Sequence, residues 1–225
     1  MHGILLTTGL FVAFVTMACS ERLVCYYDRK AAARSFLGKF TPANINPFLC
    51  THIIYSYAAI DDKNNKNRLI PVDPADLILY NDLIKLKSVN PNLKTLLAVG
   101  DPSGNDDQAF SVMVASPNTR RNFIDSVILL FREYSFDGLN LDWRYPDVNA
   151  NSKKFTTLCQ ELRTAFSSES LLLTASVSAT QTSGYEVSKI APELDFINVL
   201  TYNFHSPTET GHSTSQSFRS IYHKT

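Results

Sequence analysis

Four polar side chains with catalytic potential recur at short intervals in the segment FDGLNLDWRYPD, which begins at Phe136. They are Asp137, Asn140, Asp142 and Arg144, and the residues between them are typical of a buried strand. Because side chains alternate along a strand, residues 140, 142 and 144 share one face. Carboxyl groups gathered on one face of a strand can donate or accept protons. The segment therefore indicates a polar site built on a strand.

The composition describes a globular protein with no electrostatic preference for nucleic acid. Of the 225 residues, 44% are hydrophobic and 19% are charged, and 21 Lys and Arg balance 21 Asp and Glu. With a formal net charge of zero, no basic field exists to attract phosphates. We expect one substantial domain and an uncharged or weakly charged partner.

The N-terminus reads as a secretory signal peptide. Residues 4–18, ILLTTGLFVAFVTMA, form an apolar run that is followed by small residues and then by Glu21. We expect residues 1–20 to be removed, which leaves residues 21–225 as an extracellular domain. The alternative is a membrane anchor, for which the apolar run is short.

Cysteine usage agrees with an oxidising compartment. Cys25 and Cys50 lie at the edges of two predicted strands, and we expect a disulfide between them. Cys159 lies in a helical pattern and is predicted to be a small buried side chain. Cys19 would leave with the signal peptide, and no spacing resembles a zinc site.

Apolar strand patterns alternate with helical patterns along the chain. The predicted strands span 22–27, 51–60, 93–100, 137–143, 171–178 and 195–204. Helical spacing is present in 75–89, 118–134 and 153–166, with a short helix around 185–191. This alternation predicts an α/β fold, a parallel sheet with helices outside it.

Two architectures fit such a sheet, a doubly wound open sheet and a (β/α)8 barrel of the TIM type. No G-x-G-x-x-G follows the first strand, which removes the main argument for a dinucleotide fold. Polar residues instead accumulate where strands end, as they do on the active-site rim of a barrel. We therefore predict a barrel. Since only six of eight strands are found, we expect it to be incomplete, truncated after strand six.

The opening segment resembles the strand-four signature of family 18 glycoside hydrolases, the chitinases, D-G-x-D-x-D-W-E-Y-P. LVCYY, GKFTPANINPFLCTHIIYSYA, LKTLLAVG and DFINVLTYNFH stand in the family's order and spacing. Within the family the chain is most similar to the chitinase-like lectins, the chitinase-3-like group. The resemblance implies a (β/α)8 barrel and a chitin-type ligand, and it implies neither a metal nor another cofactor.

Position by position, the resemblance implies a degenerate catalytic motif. In active members a Glu at the position of Arg144 protonates the glycosidic oxygen. The Asp that shares a proton with its neighbour is here Asn140. The Asp that orients the substrate's N-acetyl group is retained as Asp142, and the first Asp of the motif is retained as Asp137.

The resemblance also implies sugar-contacting positions outside that motif. The family's Tyr-Asp pair on strand six is here Tyr202 and Asn203, and one glycine of the strand-three pair remains as Gly100. Apart from the resemblance, Tyr26, Tyr55 and Tyr57 could line a cleft or belong to the core, and Tyr26 is the one taken as a candidate. The candidate carbohydrate-binding residues are therefore Asp142, Tyr202, Asn203, Tyr26 and Gly100.

A guanidinium has a pKa above ~12 and does not release its proton in a protein. Arg144 therefore cannot act as the general acid, and the resemblance implies a protein without intact catalytic residues. We expect it to bind chitin or N-acetylglucosamine oligosaccharides, or to act through a protein receptor. The alternatives are an active endo-chitinase and a truncated isoform that binds nothing. Arg144 itself either pairs with Asp142 or donates hydrogen bonds to a sugar.

Several other residues have structural explanations. Trp143 has the opposite parity to Asp142, and we expect it to pack outward under a helix. Asp73, Asp76 and Asp82 are predicted to be solvated charges on a helix face. Asp101, Asp106 and Asp107 are predicted to belong to a turn.

Overall fold

The computed structural model describes residues 22–61, 66–100, 106–143, 146, 151–179 and 182–201, and every structural statement below concerns these residues. The predicted signal peptide (residues 1–20) lies outside them. So do Asp101, Arg144, Tyr202 and Asn203.

The described strands form a single sheet with six parallel strands in chain order and one antiparallel strand. The strands are β1 (Val24–Asp28), β2 (His52–Asp61), β3 (Arg68–Pro71), β4 (Lys94–Val99), β5 (Gly138–Leu141), β6 (Leu172–Ser178) and β7 (Phe196–Leu200). The order is β1-β2-β4-β5-β6-β7, and β3 pairs with β2. A doubly wound sheet would reverse its strand order. The uninterrupted order confirms a barrel-type sheet, with six of the eight parallel strands of a barrel among the described residues.

Five α-helices accompany the described strands. They are α1 (Asp76–Lys85), α2 (Asp106–Met113), α3 (Pro117–Tyr134), α4 (Ser152–Ser167) and α5 (Val187–Ile190). Local sequence fixes the start of α3, because the Ser116 hydroxyl accepts the backbone N–H of Thr119 at 3.2 Å and Pro117 needs no hydrogen-bond partner. None of the described helices is long and apolar enough to cross a membrane.

The six predicted strands are all present, but two short elements were missed. Helix α2 begins at Asp106 and Asp107, so the prediction of a turn there was wrong. It is an eight-residue helix that buries Ala109, Phe110 and Met113, too few turns for a clear period. Strand β3 has only four residues and exists by pairing with β2.

The two faces of the sheet carry different side chains, because strand residues alternate in direction. The face toward the helices is wholly apolar at the centre, and its strand residues include Ile53, Tyr55, Leu97, Val99, Leu139, Leu141, Leu173 and Ala175. The opposite face has a small apolar cluster of Ile54, Leu96, Ala98 and Phe196. The remaining even-numbered positions of that face are largely polar, and the candidate site lies there.

Trp143 packs on the helix side of the sheet, as predicted. Its side chain is 1% exposed and stacks on Phe110 of α2, with ring centroids 4.9 Å apart. The edge of Phe155 from α4 meets it at 6.0 Å. The aromatic ring therefore belongs to the core between two helices and is not available to stack on a sugar.

Asp76 contradicts its prediction as a solvated helix-face charge. It is 1% exposed, and its carboxylate accepts hydrogen bonds from Arg29 Nε and the Tyr55 hydroxyl, each at 2.7 Å. The position lies at the first turn of α1, where the helix meets the β1–β2 side of the sheet. Asp82 is partly exposed on α1, as predicted, whereas Asp73 is exposed but precedes the helix, where its Oδ1 accepts the Ala75 N–H at 2.8 Å.

The predicted disulfide is present. Cys25 lies in β1 and Cys50 lies two residues before β2, with their Cα atoms 6.1 Å apart. In the chain-entropy model, closing a loop of this length with a disulfide stabilises the folded protein by about 3 kcal/mol. Cys159 is buried and unpaired, also as predicted.

Candidate functional site

A hydrogen-bonded network of neutral side chains lies on the face of the sheet away from the helices. Asn140 is its centre and is fully buried. Its Nδ2 donates to Ser176 Oγ at 2.9 Å, and its Oδ1 accepts from Thr174 Oγ1 at 2.8 Å and Asn198 Nδ2 at 3.2 Å. Ser176 Oγ in turn lies 2.7 Å from the hydroxyl oxygen of Tyr26. We call these five residues the inner network.

The contact between Tyr26 and Ser176 shows that this face is concave. Tyr26 lies on β1 and Ser176 on β6, which are four positions apart in the sheet. In a flat sheet those strands would be about 19 Å apart. Two side chains can join across that span only because the sheet curls. Tyr26 is 42% exposed, so its ring lines the concave face. Its hydroxyl contacts Ser176 on the opposite side of that face.

The inner network also fixes what Asn140 can do. Both ends of its amide have partners, which sets the orientation of the group. A carboxamide does not ionise near neutral pH, and its partners are hydroxyls and another amide. The inner network therefore satisfies its hydrogen bonds within the sheet, and it cannot deliver a proton.

Gly100 and Asp142 meet where β4 and β5 end. Asp142 is 3% exposed, and its backbone N–H donates to the Val99 carbonyl at 2.9 Å. A Cβ placed on Gly100 would lie 2.9 Å from the carbonyl carbon of Asp142. The strand ends thus approach so closely that only glycine fits, and the two candidate residues occupy one corner of the site.

Asp137 is not part of this corner. It precedes β5 at the opposite end of the strand, where its carboxylate accepts the backbone N–H of Thr95 at 2.8 Å and the Thr95 hydroxyl at 3.0 Å. Lys87 Nζ contacts the same oxygen at 2.8 Å. These contacts tie β5 to β4 and to the segment after α1, so the role of Asp137 in this chain is structural.

The structure thus brings together Tyr26 and Asn140 through Ser176, and Gly100 with Asp142. Arg144, Tyr202 and Asn203 lie outside the described residues, and their candidate roles stay predictions. Among the described residues no group of three His, Cys, Asp or Glu side chains could hold a metal ion.

Sequence reasoning missed three members of the inner network: Thr174, Ser176 and Asn198. A signal for the first two was available, since LLLTASVS places hydroxyls at alternate positions of an otherwise apolar strand. Hydroxyls on one face of a buried strand need partners on that face. Asn198 gave a weaker signal, because it is a single polar residue in the strand segment FINVL.

We expect the Tyr26–Ser176 contact to appear as a coupling in a double-mutant cycle. Tyr26→Phe and Ser176→Ala, separately and together, should show a coupling of about 1 kcal/mol in the free energy of unfolding. The matched control pairs Ser176→Ala with Tyr27→Phe, because Tyr27 faces the other side of β1 and donates to the Phe40 carbonyl. Equal couplings in both cycles would contradict the cross-sheet contact.

Comparison with known proteins assigns the chain to a family. The family model for glycosyl hydrolases family 18 matches residues 22–222. Human chitinase-3-like protein 2 is 42% identical over 207 residues, which are 86% of this chain and 52% of that protein. Mouse chitotriosidase-1 is 39% identical over 216 residues, covering 89% of this chain and 46% of that protein.

Solved structures agree. A group IV chitinase from Ostrinia furnacalis superposes with a TM-score of 0.75 at 38% identity, over 82% of this chain and 52% of that one. The human pseudo-chitinase YKL-39, described as retaining chitooligosaccharide binding, superposes with a TM-score of 0.75 at 42% identity, over 84% and 53% of the two chains. The chain spans about half the length of these relatives. It belongs to glycosyl hydrolase family 18.

Proposed function

We propose that this protein is a secreted, catalytically inactive member of its family that binds chitin-type oligosaccharides. One observation carries the inactivity: Arg144 occupies the position of the family's proton-donating Glu. A guanidinium keeps its proton, and its positive charge opposes the charge that develops on the sugar in the transition state. Loss of a positioned general acid lowers the rate by about 10²–10⁴-fold.

The state of Asn140 supports the same proposal. In active relatives this position is an Asp that exchanges a proton with its neighbour, whereas here an amide is locked by hydrogen bonds to Thr174 and Ser176. The second proton-handling position is thus neutral and already satisfied. Two independent positions of the motif argue against catalysis.

The binding half of the proposal rests on what remains on the concave face. Tyr26 offers an exposed ring, and Gly100 lets the ends of β4 and β5 approach closely enough to position Asp142. Together with Tyr202 and Asn203, these residues are our candidate sugar contacts. Support comes from human YKL-39, which is 42% identical and whose structures include one with GlcNAc4. Retained binding without catalysis thus has a precedent among the relatives of this chain.

The purified full chain is expected to show no turnover of fluorogenic chito-oligosaccharides above a buffer blank, while chitin beads retain it. Arg144 removes the acid, whereas Tyr26 and Asp142 are retained. Tyr26→Ala should weaken retention, and Tyr27→Ala, on the other side of β1, is the control. Turnover in material free of other chitinases would establish the active alternative. Failure of the beads to retain the protein would contradict glycan binding and leave either a protein receptor as its partner or a truncated isoform that binds nothing.

Secretion is a separate part of the proposal and rests on residues 1–20. Expressed in a eukaryotic cell with its own N-terminus, the protein should be recovered from the medium with a sequence beginning near Glu21. Recovery only from membranes, with the apolar run intact, would favour an anchor.

A further inference from the structure

The loop that follows β1 carries two fully projecting apolar side chains. We call residues 29–40 the β1 loop. Phe36 is 97% exposed and Leu37 is 104% exposed, more than any other large hydrophobic residue of the described chain. Exposed single apolar residues are common on proteins, but two adjacent ones with no cover at a loop apex are not.

The backbone of the loop holds these side chains outward. Phe36 has φ of 50°, a left-handed conformation that costs a bulky residue about 1–2 kcal/mol. The turn is closed by the Gly38 N–H donating to the Ser35 carbonyl and by the Lys39 N–H donating to the Phe36 carbonyl, each at 3.1 Å. The apex is therefore an ordered turn that presents Phe36 and Leu37 to solvent.

The base of the loop is tied to the sheet. The Phe40 N–H donates to the Ala31 carbonyl at 2.9 Å, and the Tyr27 hydroxyl donates to the Phe40 carbonyl at 3.1 Å. The rings of Tyr27 and Phe40 also contact each other, with centroids 6.5 Å apart. The apex thus stands on a fixed base, so ordering it against a partner would cost little entropy.

The charged residues within the β1 loop are all cationic. Residues 29–40 contain Arg29, Lys30, Arg34 and Lys39, and no Asp or Glu. Arg29 is paired with Asp76, so Arg34 and Lys39, the two cations that flank Phe36 and Leu37 in the sequence, carry the electrostatic argument. Arg34 lies 3.8 Å from Asp28 but remains 55% exposed, and Lys30 and Lys39 are exposed. The partner of this loop should be negatively charged at its surface and apolar beneath it.

We propose that the β1 loop docks this protein on lipid bilayers that carry anionic headgroups, with Phe36 and Leu37 inserted among the acyl chains. The charge pattern matches an anionic membrane surface. The exposure of Phe36 and Leu37 favours a membrane over an acidic protein as the partner of this loop. Hot-spot side chains at protein interfaces are surrounded by neighbours that exclude water. Within the described part of the chain, Phe36 and Leu37 have no such surround, whereas a fluid hydrocarbon layer needs none.

The position of the loop gives the docking an orientation. The β1 loop leaves the carboxyl end of β1, the end of the parallel sheet at which Gly100 and Asp142 meet. A docked molecule would turn that rim of the concave face toward the lipid surface. The inference does not depend on glycan binding, because none of its residues belongs to the inner network.

The first test is co-sedimentation of the full chain with vesicles of phosphatidylcholine, with and without phosphatidylserine. The protein should bind the phosphatidylserine vesicles at least about tenfold more tightly, and Phe36→Ser with Leu37→Ser should lower that affinity by at least about tenfold. The matched control is Phe48→Ser with Leu49→Ser. Those side chains are 68% and 63% exposed and precede β2, at the other end of the sheet. Equal losses in both pairs would overturn the proposal.

Charge reversal tests the electrostatic half. Arg34→Glu with Lys39→Glu should lower affinity for phosphatidylserine vesicles about tenfold, and added salt should weaken binding of the unaltered chain. If neither charge reversal nor added salt weakened binding, the role given to the cations would be overturned. Thermal unfolding of each variant shows whether it is folded.

Insertion can be read directly even if a serine variant fails to fold. Trp143 is the one Trp of the sequence and is 1% exposed, so it provides a constant background. In Phe36→Trp, the new indole should shift its emission to the blue on phosphatidylserine vesicles and be quenched by brominated acyl chains. The absence of both the shift and the quenching would overturn insertion. The proposal would also be overturned if the chain did not bind vesicles but captured an acidic protein through Phe36 and Leu37.

Discussion

Replacing Asp76 by alanine is expected to lower the free energy of unfolding by about 3–5 kcal/mol, the range found when one partner of a buried ion pair is removed. The carboxylate is 1% exposed and has three partners. Arg29 Nε and the Tyr55 hydroxyl donate to Oδ1 at 2.7 Å, and the Asp73 N–H donates to Oδ2 at 2.8 Å. Alanine leaves all three donors without their acceptor.

The largest part of the cost comes from Arg29. Its side chain is only 20% exposed, so the guanidinium would be left poorly hydrated and without its counter-charge. Tyr55 adds to the cost, because its ring is fully buried and cannot turn its hydroxyl to water. Burial, reinforced by the hydrogen bond to Asp76, raises the pKa of Tyr55. Its hydroxyl therefore stays a donor throughout the usual pH range.

The control for this prediction lies on the same helix. Asp82 pairs with Lys85 at 2.8 Å, but Lys85 is 73% exposed and Asp82 is 30% exposed. Asp82→Ala should therefore change stability by no more than about 0.5 kcal/mol. Urea unfolding of both variants, followed by far-ultraviolet circular dichroism, makes the comparison. Similar losses at the two positions would show that the contacts of Asp76 contribute no more than a surface pair.

The same residue shows where sequence reasoning stops. Asp76 stands in the first turn of a helix, where an acidic side chain is ordinarily solvated and favoured by the helix dipole. Nothing nearby in the sequence distinguishes it from Asp82. Its burial is decided by Arg29, 47 residues earlier, and by Tyr55 on β2. Both partners are non-local, and no local period or spacing could have indicated them.

The parallel strands were predictable for the opposite reason. A strand covered on both faces must be apolar along most of its length, and that run is visible in the sequence alone. Strand β3 was not predicted, because it is four residues long and Leu69 is its one buried residue. Helix α2 escaped because Asp106 and Asp107 at its start resemble turn residues. Both elements depend on partners that a local reading does not see.

The candidate site likewise combines residues that the sequence could indicate with a contact that it could not. Asn140, Asp142 and Gly100 were identified through resemblance to a motif, and the position of each on its strand followed from the strand assignment. The distance between Tyr26 and Ser176 did not follow, because it depends on the curl of the whole sheet. Asp137 was grouped with the motif, yet β5 carries it to the opposite end from Asp142.

Gly100→Ala is expected to destabilise the protein by about 2–4 kcal/mol and to disturb the candidate site directly. Gly100 has φ of 113°, a conformation that residues with a Cβ rarely adopt. The added methyl would also lie 2.9 Å from the carbonyl carbon of Asp142 and 3.0 Å from the Phe110 ring. The Asp142 backbone is held by Val99 and cannot retreat without breaking the end of the β4–β5 pairing.

A second glycine separates this effect from the general cost of adding a methyl group. Gly38 lies in the β1 loop, where a Cβ would meet only the Arg34 side chain at 3.6 Å, so Gly38→Ala should stay within about 0.5 kcal/mol of the unaltered chain. Chemical unfolding and chitin-bead retention are measured for both variants, and only Gly100→Ala is expected to lose retention. Retention should fall even where the Gly100→Ala variant is still folded, because Asp142 is displaced with its backbone. If Gly100→Ala matched Gly38→Ala in stability and retention, the contact between the ends of β4 and β5 could not be what positions Asp142.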